Sequence, residues 1–136
     1  MPATLRLDIV TPSAVAYSGD VELVTLPAVD GQLGIYPQHM PLLTRIVPGE
    51  IIVRRDGHDE FLAVGEGLVE ITAHQVAIVT DMAIKAEDID RARVEAARQR
   101  AEARLRDKIS DEEVATVNAS LARSLAQLRV KARRRR

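Results

Sequence analysis

The chain of 136 residues has no cysteine and no tryptophan, and its only aromatic residues are two tyrosines and one phenylalanine. The lack of cysteine excludes disulfides, thiolate zinc sites, iron–sulfur clusters and cysteine nucleophiles. The shortage of aromatic rings argues against a surface on which the bases of single-stranded nucleic acid could stack. The stability of the protein must therefore come from packing of aliphatic side chains.

Several sequence signals of catalysis and of membrane insertion are also missing. No run of residues approaches the roughly 20 apolar residues that a membrane span needs, and the first residues lack a signal-peptide pattern. Neither a glycine-rich phosphate loop nor a nucleophile-elbow serine occurs. His39, His58 and His74 lie in separate predicted turns without carboxylates at metal-ligand spacing. We expect a soluble cytoplasmic protein with no metal site and no catalytic residues of its own.

Glycine, proline and charge are divided unequally along the chain. All seven glycines and all six prolines lie within residues 2–67. Residues 1–85 carry five basic and eleven acidic side chains, a net charge of −6, whereas residues 86–136 carry fourteen basic and nine acidic side chains, a net charge of +5. We therefore predict two domains, 1–85 and 86–136. The positive domain indicates contact with an acidic surface or an anionic ligand, although such charges can also form a solvated helix face.

Short β-rich runs separated by turn residues fill the first domain, which is typical of a sandwich. The nine predicted strands cover residues 5–10, 13–17, 21–26, 32–35, 42–46, 50–54, 60–64, 67–72 and 75–80. Asp56-Gly57 predicts a tight hairpin, because glycine accepts a positive φ. The last strand is apolar at every second residue and also between them, so we expect both of its faces to be buried. The predicted first domain is an antiparallel β-sandwich.

The second domain predicts two helices. Residues 87–107 are rich in the helix formers alanine and arginine, and Ser110 with Glu113 forms a capping-box pattern that begins the second helix. The second helix has an apolar stripe at Val114, Val117, Leu121, Leu125 and Leu128. It would pack on the alanine stripe of the first helix in an antiparallel hairpin, which gives an α+β fold class. The residues of that stripe are Ile89, Ala92, Ala96, Ala97, Ala101 and Leu105. Because alanine buries little area, we expect a weakly docked, movable hairpin; a hairpin packed statically on the sandwich is the alternative.

Residues 31–44, GQLGIYPQHMPLLT, carry no formal charge and contain several apolar side chains. Most surface loops are more polar, so this segment indicates a protein contact surface. The alternative is that its apolar side chains tuck under the sandwich as a small additional core. We expect His39 to be a hydrogen-bonding residue of the loop.

The chain ends in a basic tail, because six of the eight residues 129–136 are lysine or arginine. Clustered arginines attract phosphate backbones. This favours, as an alternative function, a β-domain adaptor whose basic helical arm binds nucleic acid nonspecifically.

Three segments together resemble the epsilon-subunit family of bacterial F-type ATP synthases: residues 31–44, residues 89–105 (IDRARVEAARQRAEARL) and residues 126–130 (AQLRV). The resemblance covers nearly the whole chain and implies an N-terminal β-sandwich joined to a two-helix hairpin. It implies a non-catalytic subunit at the foot of the central stalk, bound to the gamma subunit and the membrane c-ring. Such a subunit would couple proton transport to ATP synthesis at the cytoplasmic face of the bacterial inner membrane, attached only through the complex and without a nucleic-acid partner.

The resemblance also assigns candidate contact residues. The implied rotor contacts are Gln32, Tyr36, His39, Met40 and Leu42. Gln32 stands where relatives often have glutamate. In the family, the hairpin can extend toward the alpha and beta subunits and inhibit ATP hydrolysis through basic residues. The candidates for that contact are Arg98, Arg100, Arg123, Arg129 and the terminal arginines.

Some relatives bind ATP in the folded hairpin through an Ile/Leu-Asp-x-x-Arg-Ala motif. The positions that match this site are Ile89, Asp90, Arg93, Arg100 and Arg123. Three positions depart from it: Val94 replaces the alanine, Ile84 stands where strong binders have an acidic residue, and Gln127 replaces a basic residue. We therefore expect weak regulatory binding of ATP or none, and no other cofactor.

Overall fold

The computed structural model describes residues 3–134, except for the side chain of Arg134. The strands are β1 (Leu5–Val10), β2 (Val15–Val21), β3 (Leu23–Ala28), β4 (Gly31–Ile35), β5 (Leu42–Ile46), β6 (Gly49–Arg55), β7 (His58–Val64), β8 (Gly67–Ile71), β9 (Gln75–Thr80) and β10 (Ala83–Lys85). A short 3₁₀ helix, Ala86–Asp88, connects them to α1 (Arg91–Leu105) and α2 (Asp111–Arg134).

The ten described strands form one sheet that folds over a single core. Their order is β10-β7-β6-β3-β5-β8-β9-β1-β2, and β4 pairs with β3. The largest fully buried side chains are aliphatic and come from most of the strands: Leu5, Leu7, Ile9, Leu26, Ile35, Ile46, Ile51, Leu62, Ile71 and Ile78. This arrangement, followed by the two helices, confirms the predicted fold class. One pairing differs from a purely antiparallel sandwich, because β1 runs parallel to β9, with Ile9 opposite Ile78.

Local sequence explains most strand boundaries. In β1, Leu5, Leu7 and Ile9 point into the core while the residues between them face outward, as the period of two requires. Asp56 and Gly57 have φ values of 53° and 76°, and they join β6 to β7 in the predicted tight hairpin. Both central residues of this turn need positive φ, which aspartate tolerates and glycine adopts without strain.

Three strand predictions need correction. The strand predicted at residues 13–17 runs from Val15 to Val21, and its polar second half pairs with β1, where Asp20 lies opposite Arg6. The strand predicted at residues 21–26 begins only at Leu23 and continues to Ala28, because Val21 belongs to the preceding strand. Strand β10 was not predicted at all. Its three residues pair with β7, with Ala83 opposite Val64. A segment this short has no periodicity of its own, so its strand geometry comes from the neighbouring strand.

Helix α1 begins later than predicted, because residues 86–88 form a 3₁₀ turn. Asp90 caps α1, and its Oδ1 accepts a hydrogen bond from the Arg93 amide at 3.2 Å. At the start of α2, the Ser110 hydroxyl accepts from the Glu113 amide at 3.2 Å, which confirms half of the capping box. The other half is wrong, since the Glu113 carboxylate binds Arg104 at 2.6 Å instead. This ion pair bridges the two helices near their connection.

The helices pack on each other, and α2 lies against β6 and β7. The buried hairpin side chains are small: Val94, Ala101, Ser124, Ala126 and Val130. The predicted leucine stripe is wrong at Leu125, which is 42% exposed. In the predicted alanine stripe of α1, Ala92 and Ala96 are also exposed. The buried face of α2 therefore contains Ser124, Ala126 and Val130, which face the neighbouring elements, and spacing along one helix does not reveal which face those elements cover.

Candidate functional site

The uncharged segment at residues 31–44 has a buried part and an exposed part. Ile35 is fully buried in the sandwich core, whereas Tyr36 is exposed and Met40 is 79% exposed. Leu42, at the start of β5, is also exposed. His39 is half-buried and its Nδ1 lies 2.6 Å from the carbonyl oxygen of Met40, as expected of a hydrogen-bonding loop residue. The segment therefore presents an exposed apolar surface next to the buried side chain of Ile35.

Gln32 belongs to a different environment from the rest of the predicted rotor contacts. It lies on β4 and lines a cleft of about 300 Å³ with Glu50 of β6 and with Arg129 and Arg133 of α2. The predicted contact loop and the C-terminal end of the hairpin thus meet at Gln32. The role of Gln32, Tyr36, His39, Met40 and Leu42 as rotor contacts stays a prediction.

A second exposed apolar surface runs across four strands on the outside of the sandwich. Strand register places Leu68 opposite Val79, Val79 opposite Val10, and Val10 opposite Val15. We call these four residues the valine row. Val79 is 61% exposed, so the prediction that both faces of β9 are buried is wrong. The apolar pattern on both faces of that strand reflects a buried face and an exposed apolar face, since Val76 and Ile78 are buried while Val79 is exposed.

The nucleotide motif lies at a small cleft between the hairpin and its connection to the sandwich. The cleft has a volume of about 280 Å³ and is lined by Ile84, Asp88, Asp90, Arg93, Val94, Ala97, Ser124 and Gln127. Of the predicted residues, Asp90 and Arg93 reach it, while Ile89 is buried in the adjacent packing cluster. Its charged lining is two carboxylates and one guanidinium, which disfavours a polyphosphate.

The other two predicted nucleotide residues do not line this cleft. Arg123 Nη1 donates to Asp81 Oδ2 at 3.1 Å, whereas the side chain of Arg100 is exposed and makes no hydrogen bond or ion pair with the rest of residues 3–134. Gln127 lines the cleft, but its Nε2 lies 3.1 Å from Met82 Sδ. The docked hairpin therefore offers one arginine to an anion in this cleft.

The predicted inhibitory arginines differ in their contacts. Arg98 binds Glu95 and also Glu102, the latter at 2.7 Å, and the hydrogen bond that Arg98 donates to Glu95 raises the pKa of Arg98. The same bond lowers the pKa of the Glu95 carboxyl. Arg100 and Arg129 are exposed. The predicted contacts at Arg135 and Arg136 lie outside the described residues. Whether any of these arginines contacts a partner stays a prediction.

Four polar contacts among the described residues join α2 to the sandwich and to the 3₁₀ turn that follows it. One is the Gln127–Met82 contact; in the others, Arg123 binds Asp81, Lys131 Nζ donates to the Ala86 carbonyl at 3.2 Å, and Arg133 Nη1 donates to Glu50 Oε1. Gly65 makes room for the Arg123–Asp81 contact, because a Cβ there would lie 1.8 Å from Asp81 Oδ1. These contacts add to the small apolar area of the hairpin interface.

Two kinds of site were looked for among residues 3–134: a cluster of metal-ligating side chains and a helix that could span a membrane. Within residues 3–134, histidine and carboxylate side chains form no group of three or more that could hold a metal ion. No described helix combines the length and apolar character that crossing a bilayer requires.

Comparison with known proteins assigns both regions to one family. A family model described as the ATP synthase delta/epsilon chain beta-sandwich domain matches residues 4–86, and one described as the long alpha-helix domain of the same chain matches residues 87–132. The ATP synthase epsilon chain of Halorhodospira halophila is 40% identical over 129 residues, which cover 93% of this chain and 92% of that relative.

Two solved structures share the fold at low sequence identity. A chain of the Euglena gracilis mitochondrial ATP synthase OSCP/F1/c-ring structure is 19% identical with a TM-score of 0.73, over 90% of this chain and 78% of that one. A chain of the Tetrahymena thermophila mitochondrial ATP synthase central stalk and c-ring structure is 14% identical with a TM-score of 0.63, over 96% and 98%. The family predicted from the three segments is thus confirmed. The chain belongs to the ATP synthase delta/epsilon chain family, as an epsilon-type chain.

Proposed function

We propose that this chain is a non-catalytic rotor subunit that transmits proton-driven rotation to ATP synthesis and restrains ATP hydrolysis through its hairpin. The observation that carries this proposal is the weak docking of a positively charged hairpin on the sandwich. A hairpin domain of net charge +5 lies on the sandwich through a few small buried side chains and four polar contacts. An acidic surface can compete for those arginines, because exposed ion pairs are weak.

We assign the two exposed apolar surfaces to different partners. The valine row is wide and lies on regular strands, which suits a flat contact with the gamma subunit. The loop with Tyr36 and Met40 is narrower and projects from the end of the sheet, which suits the loops of the c-ring. The protein would then be peripheral, held at the cytoplasmic face of the bacterial inner membrane by the complex alone.

In its extended state, the hairpin would place Arg98, Arg100, Arg123 and Arg129 against the alpha and beta subunits. Arg123 would have to leave Asp81 to do so, so docking and inhibition compete for one guanidinium. ATP would act at most as a weak ligand of the docked hairpin, because its cleft offers one arginine against two carboxylates. A nucleic-acid partner is not part of this proposal.

The proposal is tested by locking the hairpin in place. The chain has no cysteine, so an Asp81→Cys/Arg123→Cys pair joined by a short reducible bis-maleimide links only the hairpin and the sandwich. We expect the linked subunit to raise ATP hydrolysis by the reconstituted complex severalfold, and reduction to restore inhibition.

The matched control is an Arg54→Cys/Asp59→Cys pair, which joins β6 and β7 within the sandwich and should leave hydrolysis unchanged. Equal hydrolysis with and without the hairpin link would refute the inhibitory role. Binding to the gamma subunit is tested separately with Val79→Lys, which should weaken it at least tenfold, against Leu125→Lys on the exposed side of α2. Unchanged binding by Val79→Lys would refute the assignment of the valine row.

A further inference from the structure

Glu50 is the only charged side chain that is buried among the described residues, and it is 9% exposed. It lies at the beginning of β6, beneath the C-terminal part of α2. Its Oε1 accepts a hydrogen bond from Arg133. Its Oε2 is sealed from solvent and has no hydrogen-bond partner in the described structure. A half-paired carboxylate in such a place is costly when ionised.

Few groups around Glu50 can titrate. Two guanidinium groups of α2 face it, those of Arg129 and Arg133, and both stay protonated in proteins. The strands around it contribute Pro27 of β3, Gln32 of β4 and Ala63 of β7, which do not ionise. Any proton uptake in the immediate surroundings of Glu50 therefore belongs to Glu50 itself.

Burial outweighs the attraction of the two arginines. It raises the pKa of the Glu50 carboxyl above the ordinary value of 4.5, although Arg133 and Arg129 both act to lower it. Helix α2 covers β6, so undocking hydrates Glu50 and returns its pKa toward the ordinary value. A group with a higher pKa in the docked state binds its proton more tightly there.

We propose that Glu50 makes docking of the hairpin sensitive to protons: its ionised carboxylate loosens α2 from the sandwich, and its protonation tightens that contact. The sign follows from linkage. The stabilisation by the proton is complete below about pH 4.5 and is lost as the pH rises through the docked pKa of Glu50. Each unit of pKa difference between the docked and undocked states changes the docking equilibrium up to about tenfold.

The test uses the isolated full-length chain, so it does not depend on the inhibitory role. Spin labels at Val29→Cys on the sandwich and Leu125→Cys on α2, both exposed positions, report the docked fraction by distance measurement between pH 8 and pH 5. We expect the ratio of docked to undocked hairpin to rise as the pH falls, by at most about tenfold for each unit of pKa difference between the two states. A ratio that is constant or decreases would refute the proposal.

Two variants in this labelled background separate Glu50 from the rest of the interface. Glu50→Gln removes the charge and should leave a docked fraction that no longer changes with pH. Asp81→Asn removes the partner of Arg123 and should lower the docked fraction while preserving its pH dependence. A pH dependence that survives in Glu50→Gln would refute the proposal.

A titration of the unmodified chain covers the case in which Glu50→Gln does not fold. The ¹³C resonance of the Glu50 carboxyl should titrate above pH 4.5, and a midpoint at or below that value would refute the proposal. The effect on hydrolysis rests on the proposed function. If docking follows pH as expected but inhibition of the reconstituted complex does not follow docking, the inhibitory role fails and the proton sensitivity of Glu50 stands.

Discussion

The sandwich and the hairpin are stabilised in different ways. The sandwich buries leucine and isoleucine side chains from most of its strands, each worth about 1.5–3 kcal/mol when fully buried. The hairpin buries mainly alanine, serine and valine, and a methyl group is worth only about 0.8 kcal/mol. The sandwich is thus a rigid body, and the position of the hairpin depends on a few polar contacts. The region that we propose to be movable therefore has the weaker interface.

The largest contrast should come from truncating a core leucine. Leu7→Ala removes a fully buried side chain from the sandwich core, and it should lower the free energy of unfolding by about 2–5 kcal/mol. Urea unfolding measures this loss. Leu125→Ala, at an exposed position of α2, should change it by less than about 0.5 kcal/mol. Equal losses in the two variants would contradict the division into a rigid and a weakly docked region.

Gly65→Ala tests the junction between the two regions. The new Cβ would lie 1.8 Å from Asp81 Oδ1 and 3.4 Å from Arg123 Cγ, so the Asp81–Arg123 contact must break. We expect a cost of about 1–3 kcal/mol, expressed mainly as faster proteolysis of the hairpin. Gly34→Ala is the matched control, because a Cβ there meets nothing within 4 Å. If both variants are cleaved at the rate of the unmodified protein, the proposed junction is wrong.

Ser110→Ala should affect the hairpin alone. It removes the hydroxyl that caps the Glu113 amide, at a cost of about 1 kcal/mol to α2. Hydrogen exchange should accelerate at the Glu113 amide and remain unchanged in the sandwich. Thr116→Ala removes a hydroxyl from the same helix without uncapping it, and it should not accelerate that exchange. Faster exchange throughout the β-sheet would show that the two regions unfold together.

The smallest expected effect is the acid response of the sandwich surface. The hydrogen bond from Ser18, at 2.6 Å, is the main cause that lowers the pKa of the Asp8 carboxyl below 3.8. The stabilisation that ionised Asp8 provides is therefore present above pH 3.8 and is lost as the pH falls through its lowered pKa. Asp8→Asn should reduce the acid dependence of urea unfolding between pH 2 and 5 by roughly 0.5 kcal/mol.

We expect acid to have opposite effects at Asp8 and Glu50. Protonation of Asp8 removes a stabilising contact of the sandwich, whereas protonation of Glu50 favours the docked hairpin. An acid dependence of unfolding that is unchanged in Asp8→Asn would show that Asp8 does not contribute this stability.

Much of the candidate site could be predicted where the signal was local. The uncharged loop at residues 31–44 and the Asp90–Arg93 pair are short motifs, and the structure places Tyr36 and Met40 at the surface and Asp90 and Arg93 at one cleft. Arg123 could not be assigned its contact, because its partner Asp81 is 42 residues away. The valine row crosses four strands whose register no single segment encodes.

Periodicity, turn chemistry, capping residues and composition are properties of neighbouring residues, so the sequence by itself determined the sandwich, the two helices, the Asp56-Gly57 turn and the family. Pairings between distant segments depend on which surfaces meet when the chain is compact. Tertiary structure alone therefore decided the parallel β1–β9 pair, the rotation of α2 that exposes Leu125, and the burial of Glu50 beneath the hairpin. Burial changes the cost of a charge, and so the carboxylate that bears on docking could be recognised only in the folded molecule.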